Sequence, residues 1–316
     1  MRTDTRTSTR AGVRPQAQPQ VRKRPRIVNI TGLLFVAPSM LVVVGLLFYP
    51  VISSVFFSFT NKHLLRKDFT FIGIDNFVAV LQNPQFWEAF AISIRWTILS
   101  ILGQLVIGFL AALALNRIRH LTGLYRTLLI VPWAFPTIVI GFGWRWILND
   151  VYGFLPNLLT TLGLTDSNVS FLSDPSAVFL TALAVNIWFG APLFMVNVLA
   201  ALKTVPREQF EAATVDGANS FQRFAFITMP HVKRVIGLLV ILRTIWVFNN
   251  FELLFLLTGG GPAGLTETLP IFAYRTGWGL QQLGAASTIT VLLLIFLLAL
   301  GTLAFRLLSR WDRKDA

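Results

Sequence analysis

The chain has 316 residues, 54% of them hydrophobic, 13% charged and none of them cysteine, with a mean hydropathy of +0.66. This excludes an ordinary soluble domain, a disulfide framework, thiol catalysis and a Cys-based metal site. A net charge of +13 would suggest nucleic acid in a soluble protein, but the basic residues cluster beside apolar runs, which is a membrane pattern.

Residues 1–29 carry Arg2, Arg6, Arg10, Arg14, Arg22, Lys23, Arg24 and Arg26 among Thr, Gln and Pro, which predicts a disordered basic cytoplasmic tail. The apolar run that follows exceeds a signal-peptide core and no clear small-residue cleavage site precedes it, so the tail is expected to be retained. A span needs about 20 mostly apolar residues. Six runs qualify: Leu33–Phe59, Ile92–Leu115, Leu124–Leu148, Val178–Leu202, Val235–Leu257 and Ser287–Leu308. The chain from residue 30 to 316 thus reads as an all-α integral membrane domain. Prolines at 38, 50, 132, 136 and 192 are compatible with spans and predict kinks. Lys and Arg resist translocation. The tail, the Arg117, Arg119 and Arg126 loop, the Lys203–Arg234 island and the Arg306–Lys314 end therefore face the cytoplasm. Asn149–Ala177, with Asp150, Asp166 and Asp174 and no Lys or Arg, faces outward. Both termini are then cytoplasmic.

The segment 204–231 is a polar island between apolar spans. Pro206 and Glu208 open a helix, and Phe210, Ala213, Ala218, Phe221, Phe224 and Ile227 recur at helical spacings around a break at Asp216 and Gly217. Gly217 suits a positive φ and Asp216 a cap, which predicts two short helices meeting at an angle. Glu211 Ala212 Ala213, then Gly217, Ile227, Met229 and Pro230 resemble the EAA loop of permease subunits in ABC importers, with Met229 where the family prefers leucine. The resemblance implies a six-helix type I importer transmembrane domain. In it Glu211, Ala212, Ala213, Asp216, Gly217, Ile227 and Pro230 form a coupling element seated in a groove of a cytoplasmic ATPase.

Polar groups within spans face a cavity or a partner. Asn186, Gly190 and Leu193 share one helical face, with Trp188 nearby, and Arg243, Val247, Asn250 and Leu254 share another. Amide, indole and guanidinium groups suit a polyhydroxylated solute. Residues 185–192 resemble the fourth-span signature of the larger maltose-type permease subunit, and Phe248 Asn249 Asn250 Phe251 its fifth. The resemblance places Asn186, Trp188, Gly190, Leu193, Arg243, Val247 and Asn250 at the solute site. Arg243 stands for a serine and Val247 for an asparagine, so a maltose-identical pocket is not implied. The alternative for the asparagines, Asn249 included, is interhelical hydrogen bonding. For Arg243, whose mid-helix charge costs on the order of 3 kcal/mol, structural pairing and contact with an anionic solute both stand at this point.

Gly259 Gly260 Gly261 Pro262 forces a reversal and carries no P-loop lysine. With the segment 61–91, it resembles outer loops of carbohydrate-type permeases. His63, His120 and His231 are scattered and the acids form no paired cluster, so no catalytic or metal site is expected. The combined expectation is an inner-membrane permease subunit of a binding-protein-dependent importer for a sugar or sugar-like solute. A glycerol-3-phosphate-type solute follows if Arg243 contacts an anion; a stand-alone secondary transporter is the rival. By the resemblance its partners are a second permease, giving a heterodimer, two ATPase subunits that hold ATP and Mg, an extracytoplasmic binding protein and membrane lipid. No cofactor on this chain and no nucleic acid are expected.

Overall fold

The structure, a computed structural model, describes residues 30–118, 120, 122–167 and 169–314; the expected tail at 1–29 lies outside them. The chain divides into two units, Met1–Pro50 and Val51–Ala316. In the first, the described backbone is the leading part of helix α1, Ile30–Ser58, and residues 34–50 are exposed. The elements from α2 onward belong to the second unit.

Among the described residues the regular elements are all helices. Thr60 and Phe71 form one isolated antiparallel bridge, and the Asn76 side chain ties this corner by donating to the Ser58 and Thr60 carbonyls. After α2 (Asp75–Gln82) comes α3 (Pro84–Arg117). The apolar run placed the start of this span at Ile92, but the helix begins two turns earlier. The Asn83 side chain accepts from Gln85 N at 2.9 Å and Pro84 occupies the first turn, where its missing N–H costs nothing.

The third expected span, Leu124–Leu148, is broken. Helices α4 (Thr122–Ala134) and α5 (Thr137–Ile147) meet at 93°. Pro136 has ψ 142°, and a proline both lacks the N–H that would continue the ladder and disfavours helical geometry in the residue before it. Five described helices are long and apolar enough to cross a bilayer, or six if this bent pair counts as one span. Helix α6 (Phe154–Thr161) leads to α7 (Val178–Lys203).

The segment after α7 also departs from expectation. Helix α8 (Arg207–Val215) is the expected short helix, but α9 (Ser220–Arg223) continues through a π-helical turn, Phe224–Thr228, into α10 (Met229–Phe248). The second arm is thus the start of a 29-residue helix, Ser220–Phe248. Pro230 cannot donate to the carbonyl four residues back, and the Met229 N–H reaches Phe224 O, five residues back, so a wider turn absorbs the proline. At the other end the expected fifth span, Val235–Leu257, stops at Phe248. Asn249 takes φ −90°, ψ 5°, and a separate helix α11 (Glu252–Thr258) follows. Then come α12 (Leu269–Tyr274), a π turn (Arg275–Gly279) and α13 (Leu283–Lys314).

Helices α3 and α7 form the most extensive helix pair, with α10 against both. Glycine makes this approach possible: a Cβ on Gly108 would lie 2.6 Å from the Ala191 carbonyl and the Phe194 Cβ. Close backbone contact of this kind drives helix association where lipid removes the hydrophobic incentive. One core groups Trp96, Ala182, Val185, Val247, Leu254 and Leu257; another, toward the far ends of α3 and α7, groups Ala112, Leu115, Met195, Val198, Leu202 and Val232.

Candidate functional site

The knuckle between α8 and α9 is built by local chemistry. The Gly217 N–H donates to Thr214 O and the Ala218 N–H to Ala213 O, the paired closure that ends a helix through a left-handed residue. Gly217 supplies it at φ +76°, where a Cβ would meet nothing but would strain the backbone. Asp216 closes α8 as its C-cap. The expected capping role falls instead to Asn219, which accepts from Gln222 N while its own N–H donates to Gln222 Oε1, a reciprocal capping box. Arg223 binds the two arms together, donating to Thr214 Oγ1 at 2.9 Å.

The surface of this knuckle is unusual. Val215 is 89% exposed, Phe221 76% and Phe226 78%, and each lies on a different piece of the bend. Glu211, Ala212, Asp216, Gly217 and Pro230 are exposed, while Ala213 and Ile227 are half-buried. Large apolar side chains presented this fully, on a polar segment, mark an interaction surface. Val215 and Phe226 were not singled out from the sequence. By spacing Phe221 belongs to a helical face, and only the bend turns it outward.

The candidate pathway residues separate into different places. Asn186 is 1% exposed and Arg243 6%, and both are drawn to α3. Asn186 Nδ2 donates to Ser100 Oγ at 2.7 Å. Arg243 donates through Nε and Nη2 to one acceptor, Gln104 Oε1, at 3.1 and 2.8 Å. Gln104 Nε2 in turn donates to the Asn186 carbonyl at 3.1 Å. Gly190 is part of the same arrangement, since a Cβ there would fall within the Gln104 carboxamide. The network Ser100–Asn186–Gln104–Arg243 therefore staples α3, α7 and α10, with a cation whose direct acceptor is a neutral amide. Neither Ser100 nor Gln104 is among the residues expected from the sequence. A glutamine inside the apolar run of α3 was the available signal.

Trp188 points elsewhere. It is 42% exposed, packs edge-on against Trp144 with ring centroids 5.3 Å apart, and lines an apolar groove of about 340 Å³ with Leu128, Pro132 and Pro192. Leu193 and Val247 are buried, Asn249 is exposed, and Asn250 is half-buried with its Oδ1 unpartnered. Of the two expected faces, the structure thus brings Asn186, Gly190 and Arg243 together at Gln104 and leaves Trp188, Asn249 and Asn250 apart from them.

At the opposite end of the bundle from the knuckle, the Gly-rich reversal is braced by threonines. Thr258 Oγ1 and Thr266 Oγ1 lie 2.8 Å apart, and Thr266 Oγ1 donates to Gly261 O. Gly259, Gly260 and Gly264 take positive φ, as does Ala263 at +47°. Glu267, which the sequence did not single out as important, is 7% exposed and accepts from Arg275 Nε at 3.0 Å. Burial pushes its carboxyl above the usual range, and the Arg275 charge pulls it partly back.

Residues 104–314, from Gln104 to the end of α13, match the family model described as the inner membrane component of binding-protein-dependent transport systems. An inner membrane ABC transporter permease protein of Escherichia coli, YcjO, is 33% identical over 270 residues, 85% of this chain and 90% of that one. The trehalose/maltose transport system permease protein MalF of Thermococcus litoralis is 30% identical over 89% of this chain and 94% of its own. In fold, the chain is similar to one from a bacterial ABC transporter involved in import of the acidic polysaccharide alginate. The TM-score is 0.78 at 23% identity, covering 89% of this chain and 96% of the other.

Proposed function

The chain belongs to the family of binding-protein-dependent transport system inner membrane components, and on that premise we propose that it is one of two permease subunits in an ATP-driven importer of a sugar or sugar-like solute. The sugar class rests on the named transport system of the Thermococcus relative. The observation that carries the rest is the knuckle: a rigid, glycine-closed bend presenting Val215, Phe221 and Phe226 to solvent. We assign this surface, with Glu211, Ala212, Ala213 and Asp216 beside it, to a groove on a cytoplasmic ATPase subunit that holds ATP and Mg. Both termini then lie on the cytoplasmic side, and the Gly-rich reversal faces an extracytoplasmic binding protein.

Because α9 continues into α10 without a joint, a push on the knuckle moves a 29-residue helix as one lever. That lever carries Arg243 and, through Gln104, leans on α3 and α7. We assign Asn186, Gly190 and Arg243 to this stapling, since each is already engaged with α3. Trp188, Asn249 and Asn250 remain the candidates for a solute path completed by a second permease. The buried Leu193 and Val247 then support that path from behind.

The test is to tag the chain in its native membrane, purify it in mild detergent and identify what accompanies it by mass spectrometry. Recovery of an ATPase and a second permease is expected. Recovery of the chain alone, under conditions where a control importer stays assembled, would return the secondary-transporter alternative.

A further inference from the structure

A second recess lies beside the knuckle, and neither coupling nor the solute path uses it. It encloses about 230 Å³ between the last turn of α3, the last turn of α7 and the start of α9. Asn116, Arg117, Ser220 and Arg223 supply its polar wall, and Leu113 and Phe224 are among its apolar ones. Among the described residues no carboxylate lines it. Arg117 has no side-chain partner among the described residues, and the hydrogen bonds of Arg223 go to two hydroxyls, Thr214 Oγ1 and Ser220 Oγ. Two arginines therefore line one cavity with no carboxylate among the described lining residues to balance them. Guanidinium favours phosphate through paired N–H donors, and the Asn116 amide and Ser220 hydroxyl extend the donor set.

The position selects the source of the phosphate. Arg117 closes the 34-residue apolar helix α3, and Leu202 of the recess stands in the last turn of α7, so the cavity sits where hydrocarbon gives way to polar surface. A ligand with a phosphate and an apolar stem matches a recess that is cationic on one wall and aliphatic on the other. We propose that this recess binds the phosphate headgroup of an anionic phospholipid in the inner leaflet. The assignment of leaflet rests on the coupling reading above. A headgroup held there would contact Arg223, which already ties α9 to Thr214 of α8, so lipid charge would set the stiffness of the knuckle.

The experiment compares the intact complex, carrying wild-type chain or Arg117→Gln, in nanodiscs of phosphatidylcholine alone or mixed with phosphatidylglycerol, and counts retained lipid by native mass spectrometry. Wild type is expected to retain phosphatidylglycerol and Arg117→Gln to retain about tenfold less, the loss of one charge-assisted contact. Arg117→Lys, which keeps charge and loses the fork, should fall between them. Co-purification of the ATPase with Arg117→Gln should be unchanged, so a failure of the coupling reading would show there and not in the lipid count. Equal retention by wild type and Arg117→Gln would overturn the proposal. So would displacement of phosphatidylglycerol by inorganic phosphate in the buffer, which would make the ligand a soluble anion.

Discussion

Among the described residues Arg243 donates to one neutral acceptor, Gln104 Oε1, and removing that acceptor should be worse than removing the charge. Gln104→Met keeps an unbranched side chain of similar volume but leaves a buried guanidinium without Gln104 Oε1, to which it now donates twice. Leaving a buried charge uncompensated in this way costs about 3–5 kcal/mol. Arg243→Met leaves only a buried amide oxygen unpaired, about 1–3 kcal/mol. The double variant removes both groups together. The Asn186 carbonyl also loses the Gln104 donor, but it belongs to a helix ladder, so that loss is small. The double variant should therefore cost no more than Arg243→Met alone, a coupling at least as large as the cost of Gln104→Met, about 3 kcal/mol or more. Thermal unfolding of the purified complex in detergent, followed by tryptophan fluorescence, reads these differences. At roughly 2 °C per kcal/mol for a chain of this size, Gln104→Met should melt roughly 6–10 °C below wild type. Costs that simply add, or a Gln104→Met variant as stable as wild type, would refute the staple.

Gly217→Val should cost about 1–2 kcal/mol, because a β-branched residue is forced into left-handed backbone. It should uncouple ATP hydrolysis from transport, whereas Gly217→Asn, which tolerates that geometry, should stay close to wild type in solute-stimulated ATPase assays. Phe221→Asp and Phe226→Asp remove side chains that are 76% and 78% exposed, so stability should shift by no more than about 0.5 kcal/mol. The ATPase should be lost from pull-downs; its full retention would remove the docking assignment. Glu267 has a carboxyl pKa raised above its ordinary 4.5, so the folded state binds more protons than the unfolded one between those values. Its contribution to stability is greatest below pH 4.5 and is lost as pH rises through the folded pKa. Glu267→Gln should flatten the pH dependence of melting above that point, and an unchanged pH profile would count against the buried-carboxyl account.

Much of the fold was legible because a bilayer imposes a simple rule on sequence. Apolar runs of sufficient length must be helical, and α1, α3, α7 and α13 follow from that rule with only their ends displaced. The break at Gly217 was legible too, since few residues but glycine take φ +76° without strain. The ends were less so, because hydropathy cannot see a cap: Asn83 and Pro84 begin α3 two turns outside its apolar core. Nor could it tell a kink from a break at Pro136, since proline only removes one bond and neighbouring helices decide whether the chain bends by 93°. Asn249 ended the fifth span by a local turn within a run that remained apolar on both sides.

The candidate site divides along the same line. Sequence by itself determined that Asn186, Gly190 and Arg243 are special, because polar or small residues in hydrocarbon need a reason. What that reason is, only the tertiary structure decided. Gln104, 82 residues from Asn186 and 139 from Arg243, meets both because α3 packs against α7 and α10 at glycine-permitted distance. The same holds for Phe221: helical spacing places it on an apolar face, but its exposure depends on the glycine-closed bend, while Phe226 is turned out from within the π turn itself. Periodicity reports which residues can share a face; packing alone determines which face is buried, and against what.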